Sequence, residues 1–120
     1  MSKSKSSLHE FFYIVRKDMR TRDRLAGRKS DDNVTVEYLI GLYHGQKGLD
    51  YHTGLPMNMV KGLVNGAVKP DLCTPDRIDN NLGYQVGNIL LSCWIINKMR
   101  GNMSLPEFYN TCKLLGINAK

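Results

Sequence analysis

Hydrophobic positions recur at helical spacing in several stretches of this chain. Leu8, Phe11, Phe12, Val15 and Met19 fall three or four residues apart, with Ser7 placed to cap the helix they predict. "AGRKSDDN" then breaks the pattern as a linker. Val36, Leu39, Ile40 and Tyr43 predict a second helix, with Asn33 and Thr35 both in position to cap it and Gly48 to end it. "LDYHTGLPM" reads as extended chain with a Thr53-Gly54 turn, and residues 58–72 have no clean period, only a short strand or an irregular loop.

From Cys73 the signals sharpen. "TPDRID" is extended, because a residue before proline avoids the helical region. "NNLGYQVG" is a loop with two turn glycines, and "NILLS" is a strand. "CWIINKMR" predicts a helix burying Trp94, Ile95 and Met99, capped by Ser92 and stopped by Gly101, with Trp94 a centre of the core. "SLPEF" is a capping box, Ser104 with Glu107, opening a last helix whose inner face is Leu105, Phe108, Tyr109, Cys112 and Leu115 and which Gly116 ends. The order helix, helix, strand, loop, strand, helix, helix is that of an α+β fold.

Composition narrows the class. A chain of 120 residues, 42% hydrophobic and 23% charged, is globular and of one-domain size. No apolar run approaches the roughly 18–20 residues of a membrane span, and "MSKSKSSLHEFF" lacks the apolar core of a signal peptide. The expectation is a soluble, cytoplasmic protein with no membrane partner. Cys73, Cys93 and Cys112 are odd in number and form no CxxC pair, which argues for free thiols and against structural zinc.

The net charge is +6, and residues 1–29, with nine basic and three acidic side chains, carry all of it. This divides the chain into a basic arm and helix, 1–29, and a neutral domain, 30–120. Arg16, Lys17, Arg20, Arg22, Arg24, Arg28 and Lys29 are candidates to grip a polyanion, most naturally DNA; a solubilising tail is the plainer alternative.

The chemistry concentrates in "PDRIDNNLGYQVGNILLSCWIINKMRG". A hairpin running directly into a helix brings the end of its first strand beside that helix, so Asp76 should face Asn97. Hard divalent ions accept one or two such oxygens and keep waters for a phosphate. Lys98 and Arg100 would lie beside the ion, where a phosphodiester binds. Metal-assisted phosphodiester hydrolysis is the chemistry this set permits.

"TGLPM", "PDRID", "GYQVGN" and "CWIINKMRG" together resemble the HNH endonucleases, the ββα-metal nucleases, and among them small phage-type members with a DRID sequence. The resemblance spans about residues 34–115. It implies a ββα hairpin-plus-helix core flanked by helices, a Mg²⁺ or Mn²⁺ ion on Asp76 and Asn97, and Asn88 pinning the loop before the second strand. The spacing of nine from Asn88 to Asn97 matches the family's. Where the family's general-base histidine stands, this chain has Arg77, which cannot accept a proton at ordinary pH but can hold the scissile phosphate. Asp50 stands where larger relatives carry a zinc-knuckle cysteine. His52 is the best substitute base, a structural histidine its alternative; His44 and His9 rank below it. Asp79 either joins the ion or pairs with Arg77.

The expected function is a divalent-metal DNA endonuclease or nickase of phage or mobile-element type. The alternatives are a weak or inactive HNH-like DNA-binding accessory, or an adaptor whose basic helix binds an acidic protein.

Overall fold

The computed structural model describes residues 5–60 and 63–120. Its elements are α1 (Lys5–Leu25), α2 (Val36–Gly45), β1 (Leu63–Val64), β2 (Ala67–Val68), β3 (Cys73–Arg77), β4 (Ile89–Cys93), α3 (Trp94–Arg100) and α4 (Leu105–Leu114). This is an α+β arrangement. Residues 1–4 of the expected arm, and residues 61 and 62 of the stretch without a clean period, lie outside the described residues.

The stripe on α1 packs as its spacing predicts: Leu8, Phe11, Phe12, Val15 and Met19 are all buried. They join Leu39 of α2, Leu91 of β4 and Phe108 and Cys112 of α4 in one core. Burying a side chain such as Phe12 stabilises the fold by about 1.5–3 kcal/mol. The helix begins at Lys5, ahead of the expected cap at Ser7. Helix α2 is capped by Thr35, whose hydroxyl accepts from the Tyr38 backbone N–H. Helix α4 opens with the expected box, Ser104 and Glu107 each satisfying the other's backbone.

Strands β3 and β4 pair antiparallel, with Cys73 opposite Cys93 and Asp76 opposite Leu90. Just beyond the strand ends, backbone bonds join Ile78 to Asn88 and Trp94 to Leu72. Bonded pairs alternate along such a ladder, so Pro75, opposite Leu91, falls at a non-bonded position. Its missing N–H faces away from β4 and no ladder bond is lost. The Leu91 backbone groups, which also face away from the ladder, are satisfied by Gln46, whose amide both donates to and accepts from them.

Four expectations need correction. Trp94 is half-buried at the edge of the core; Phe12, Leu39, Leu91 and Phe108 are the side chains at its centre. The inner face of α3 carries Ile96 and Arg100, while Ile95 and Met99 are exposed, because α3 docks on the hairpin through a buried ion pair. Leu115, at the α4 C-cap, is exposed. Ser92 does not cap α3 either: its hydroxyl donates to Asp50, and Cys93 holds the cap position without a side-chain bond. One feature absent from the sequence reading is the β1–β2 hairpin. Asn65 and Gly66 both have positive φ, 53° and 79°, the conformation that an Asn-Gly dipeptide favours in a two-residue turn.

Candidate functional site

Side chains alternate along a strand, so Thr74 and Asp76 share the face of β3 that meets α3, and Arg77 points to the other. On α3, Asn97 and Arg100 are three residues apart and share the face that meets the hairpin. These two periodicities bring Thr74, Asp76, Asn97 and Arg100 together.

Asn97 donates from Nδ2 to Thr74 Oγ1 at 3.1 Å and to the Pro75 carbonyl at 3.2 Å. A carbonyl only accepts, so the nitrogen of the amide must face it. Asn97 Oδ1 makes no hydrogen bond among the described residues. Asp76, 6% exposed, is held through one oxygen: Oδ2 accepts from Arg100 Nη1 at 2.9 Å. Among the described residues the only buried side-chain nitrogen or oxygen without a partner is His52 Nε2. Among the described residues Asp76 Oδ1 and Asn97 Oδ1 carry no hydrogen bond and neither is fully buried, so both oxygens reach solvent.

Arg100 is 1% exposed and was expected to meet DNA. Besides Asp76, it donates to the carbonyls of Arg77, Ile78 and Met103. Its guanidinium binds the end of β3 to the α3–α4 turn and cannot reach a phosphate. Lys98 is exposed, with Nζ 5.1 Å from the centre of the Trp94 ring, at the rim of the same helix.

Arg77 turns away from this face. It donates to the carbonyls of Asn80 and Leu82 and stands 5.8 Å from the Tyr84 ring. It does not pair with Asp79, whose Oδ1 accepts from the Asn81 N–H in its own turn. Asn88 cross-ties that loop: its Oδ1 accepts from the Asp79 N–H, and its Nδ2 donates to the carbonyls of Asp79 and Gly83. The loop therefore has a fixed shape, with Arg77 and Asn88 as internal braces.

His52 lies beside Asp76, with Nε2 3.8 Å from Oδ2, but its side chain has no solvent exposure. Nδ1 is 2.8 Å from Tyr109 Oη, and the rings of Tyr51, Phe108 and Tyr109 stand edge-on within 5.5 Å. So sealed, the ring cannot take a proton from a water attacking DNA. An open cavity of about 510 Å³ is lined by residues 50–54 and 118–120, and neither Asp76 nor Asn97 lines it.

Asp50 was visible in the sequence only as a missing cysteine. It is buried and accepts five hydrogen bonds. Oδ1 takes the His52 and Thr53 N–H groups and the Thr53 hydroxyl, and Oδ2 takes the Ser92 hydroxyl and the Cys93 N–H. Burial alone would raise its pKa, but the bonds from Ser92, Cys93 and Thr53 together hold it below its ordinary 3.8. Cys93 is pushed up to about 11 by burial and then by Asp50, and Cys73 up to about 12 by burial. Both are thiols rather than the thiolates that bind zinc.

Of the basic positions, Arg16 donates to the Val34 carbonyl, Arg20 pairs with Asp32 at 3.0 Å, and Arg28 braces buried Asp23 at 2.8 Å. Lys17, Arg22, Arg24 and Lys29 are exposed. Because α1 supplies much of the core, all of these charges but Arg28 and Lys29, which follow it, sit on a packed helix.

No helix among the described residues is long and apolar enough to cross a membrane. Comparison with protein-family models, curated proteins and solved structures finds no match to this chain.

Among the described residues no three His, Cys, Asp or Glu side chains converge on one point. A divalent ion here would be held by one carboxylate oxygen and one amide oxygen, with water filling its other positions. The donor set suits a hard ion such as Mg²⁺ or Mn²⁺, which binds proteins in this sparse way.

Proposed function

We propose that this chain is a divalent-metal-dependent DNA endonuclease of the HNH type. The observation that carries the reading is the pair of open oxygens, Asp76 Oδ1 and Asn97 Oδ1, on facing elements of a hairpin-plus-helix unit. Asp76 and Asn97 would hold Mg²⁺ or Mn²⁺. When bound, the ion polarises the phosphate and stabilises the leaving oxygen. Lys98 at the rim, and Lys17, Arg22, Arg24 and Lys29 on and beyond α1, supply positive charge for the backbone.

Hydrolysis forms a bond from water oxygen to phosphorus and breaks the bond from phosphorus to a sugar oxygen. The water proton needs an acceptor. Arg77 cannot serve and His52 is sealed, so the acceptor lies outside the side chains at the site: solvent, or a phosphate oxygen of the substrate.

That gap favours a second reading, a DNA-binding accessory with little or no cutting activity. Supercoiled plasmid incubated with Mg²⁺ or Mn²⁺ separates the two. Nicked or linear product that disappears in Asn97→Ala supports the nuclease; retained DNA binding without product supports the accessory.

A further inference from the structure

A buried nitrogen without a hydrogen-bond partner is costly and needs a reason. His52 Nε2 is such an atom, and it points at Asp76 Oδ2 from 3.8 Å. We infer that Tyr109 and His52 form a positioning relay behind Asp76: the Tyr109 hydroxyl donates to His52 Nδ1, and the Nε2 proton faces Asp76 Oδ2.

With one proton on the imidazole, two arrangements are open. If Nδ1 carries it and donates to Tyr109 Oη, the Nε2 lone pair faces a carboxylate in a site sealed from water, which is repulsive. If Tyr109 donates instead, Nε2–H faces the carboxylate, which is attractive. The packed rings of Tyr51, Phe108 and Tyr109 fix the imidazole in this direction.

The relay makes Asp76 asymmetric. Arg100 donates to Oδ2 from α3, and His52 faces the same oxygen from loop 50–54. Both act on one oxygen, and the other, Oδ1, is left outward. Elements distant in the chain thus converge to set the carboxylate's rotation. What the outward oxygen then binds rests on the nuclease reading; the relay itself rests on the geometry alone. His52 and Tyr109 are positioning residues: neither meets solvent at the open oxygens.

Long-range ¹H–¹⁵N spectra of the full chain report which ring nitrogen of His52 carries a proton. A proton on Nε2 is expected; a bare Nε2 overturns the relay. Mn²⁺ binding by calorimetry tests the aim. Tyr109→Phe and His52→Leu should each weaken Mn²⁺ by about 10-fold, as loss of an outer partner of a metal ligand does. His52→Gln, whose amide can donate to Oδ2, should recover most of that loss, which a purely packing role would not produce. Native affinity in His52→Leu, with binding lost in Asp76→Asn, overturns the relay. If Asp76→Asn binds Mn²⁺ as tightly as the native chain, the nuclease reading fails instead, and the His52 spectrum still decides the relay.

Discussion

Two buried aspartates, Asp50 and Asp76, show how the same side chain serves opposite ends. Asp50 accepts on both oxygens, from donors in its own turn and at the β4–α3 junction. It has nothing left to offer a ligand. Asp76 accepts on one oxygen, from a guanidinium that also holds three carbonyls, and keeps the other open. The number of satisfied lone pairs, and not burial, separates the structural carboxylate from the candidate functional one.

The sharpest way to break this contrast is through Asn97, the partner of the open oxygen. Asn97→Ala should lower the metal-dependent cleavage rate by about 100-fold or more, since a bound ion contributes several kcal/mol to the transition state. Cleavage assays at saturating DNA measure it, and an unchanged rate would separate Asn97 from the chemistry.

Asp→Asn substitution compares the two carboxylates directly. At position 50 the new amide nitrogen must face donors whichever way it turns, so Asp50→Asn should cost about 3 kcal/mol or more. At position 76 the amide oxygen can still accept from Arg100 while the nitrogen turns outward, but the buried guanidinium loses its counter-charge, so the cost should be about 3 kcal/mol. The two losses differ in origin, donors facing an amide nitrogen at position 50 and an unpaired cation at position 76. Denaturant unfolding of both variants measures them, and an Asp50→Asn variant as stable as the native chain would contradict the five-bond account of that carboxylate.

Acid sharpens the same comparison. The folded pKa of Asp50 lies below its ordinary value, so the unfolded chain binds the proton more readily. The stability from Asp50 is fully present above about pH 4 and is lost as pH falls toward the folded value. Unfolding curves from pH 6 to pH 2 should show this loss in the native chain and a smaller one in Asp50→Asn. Identical acid slopes would contradict the assignment.

The smallest expected effect concerns the basic helix. Removing residues 1–29 would take Phe11, Phe12, Val15 and Met19 out of the core, so charge must be tested without deletion. Arg22→Ala with Arg24→Ala should leave stability unchanged and reduce the salt dependence of DNA binding by about two counterions. An unaltered slope would assign these charges to solubility.

Much of the fold was legible because its signals are local. The α1 stripe, the Ser104–Glu107 box and the glycines after α3 and α4 act within a few residues. The Asn65-Gly66 turn was legible too, although the stretch around it reads only as a short strand or an irregular loop. The inner face of α3 was not, because Arg100 reads as a surface cation until the carbonyls of Arg77 and Ile78, more than 20 residues away, fold over it. Asp76 and Asn97 could be picked out by type and spacing. That His52 would be walled in by Tyr51, Phe108 and Tyr109, and that Asp50 would reach Ser92 and Cys93, depends on long-range packing that no local pattern encodes.

The open oxygen of Asp76 is tested most directly by cleavage of supercoiled plasmid in Mn²⁺ by the native chain and by Asp76→Asn. Metal-dependent product from the native chain, and none from the variant under conditions where it is still folded, is the expected result. Product at equal rates from both, or from neither, would contradict it.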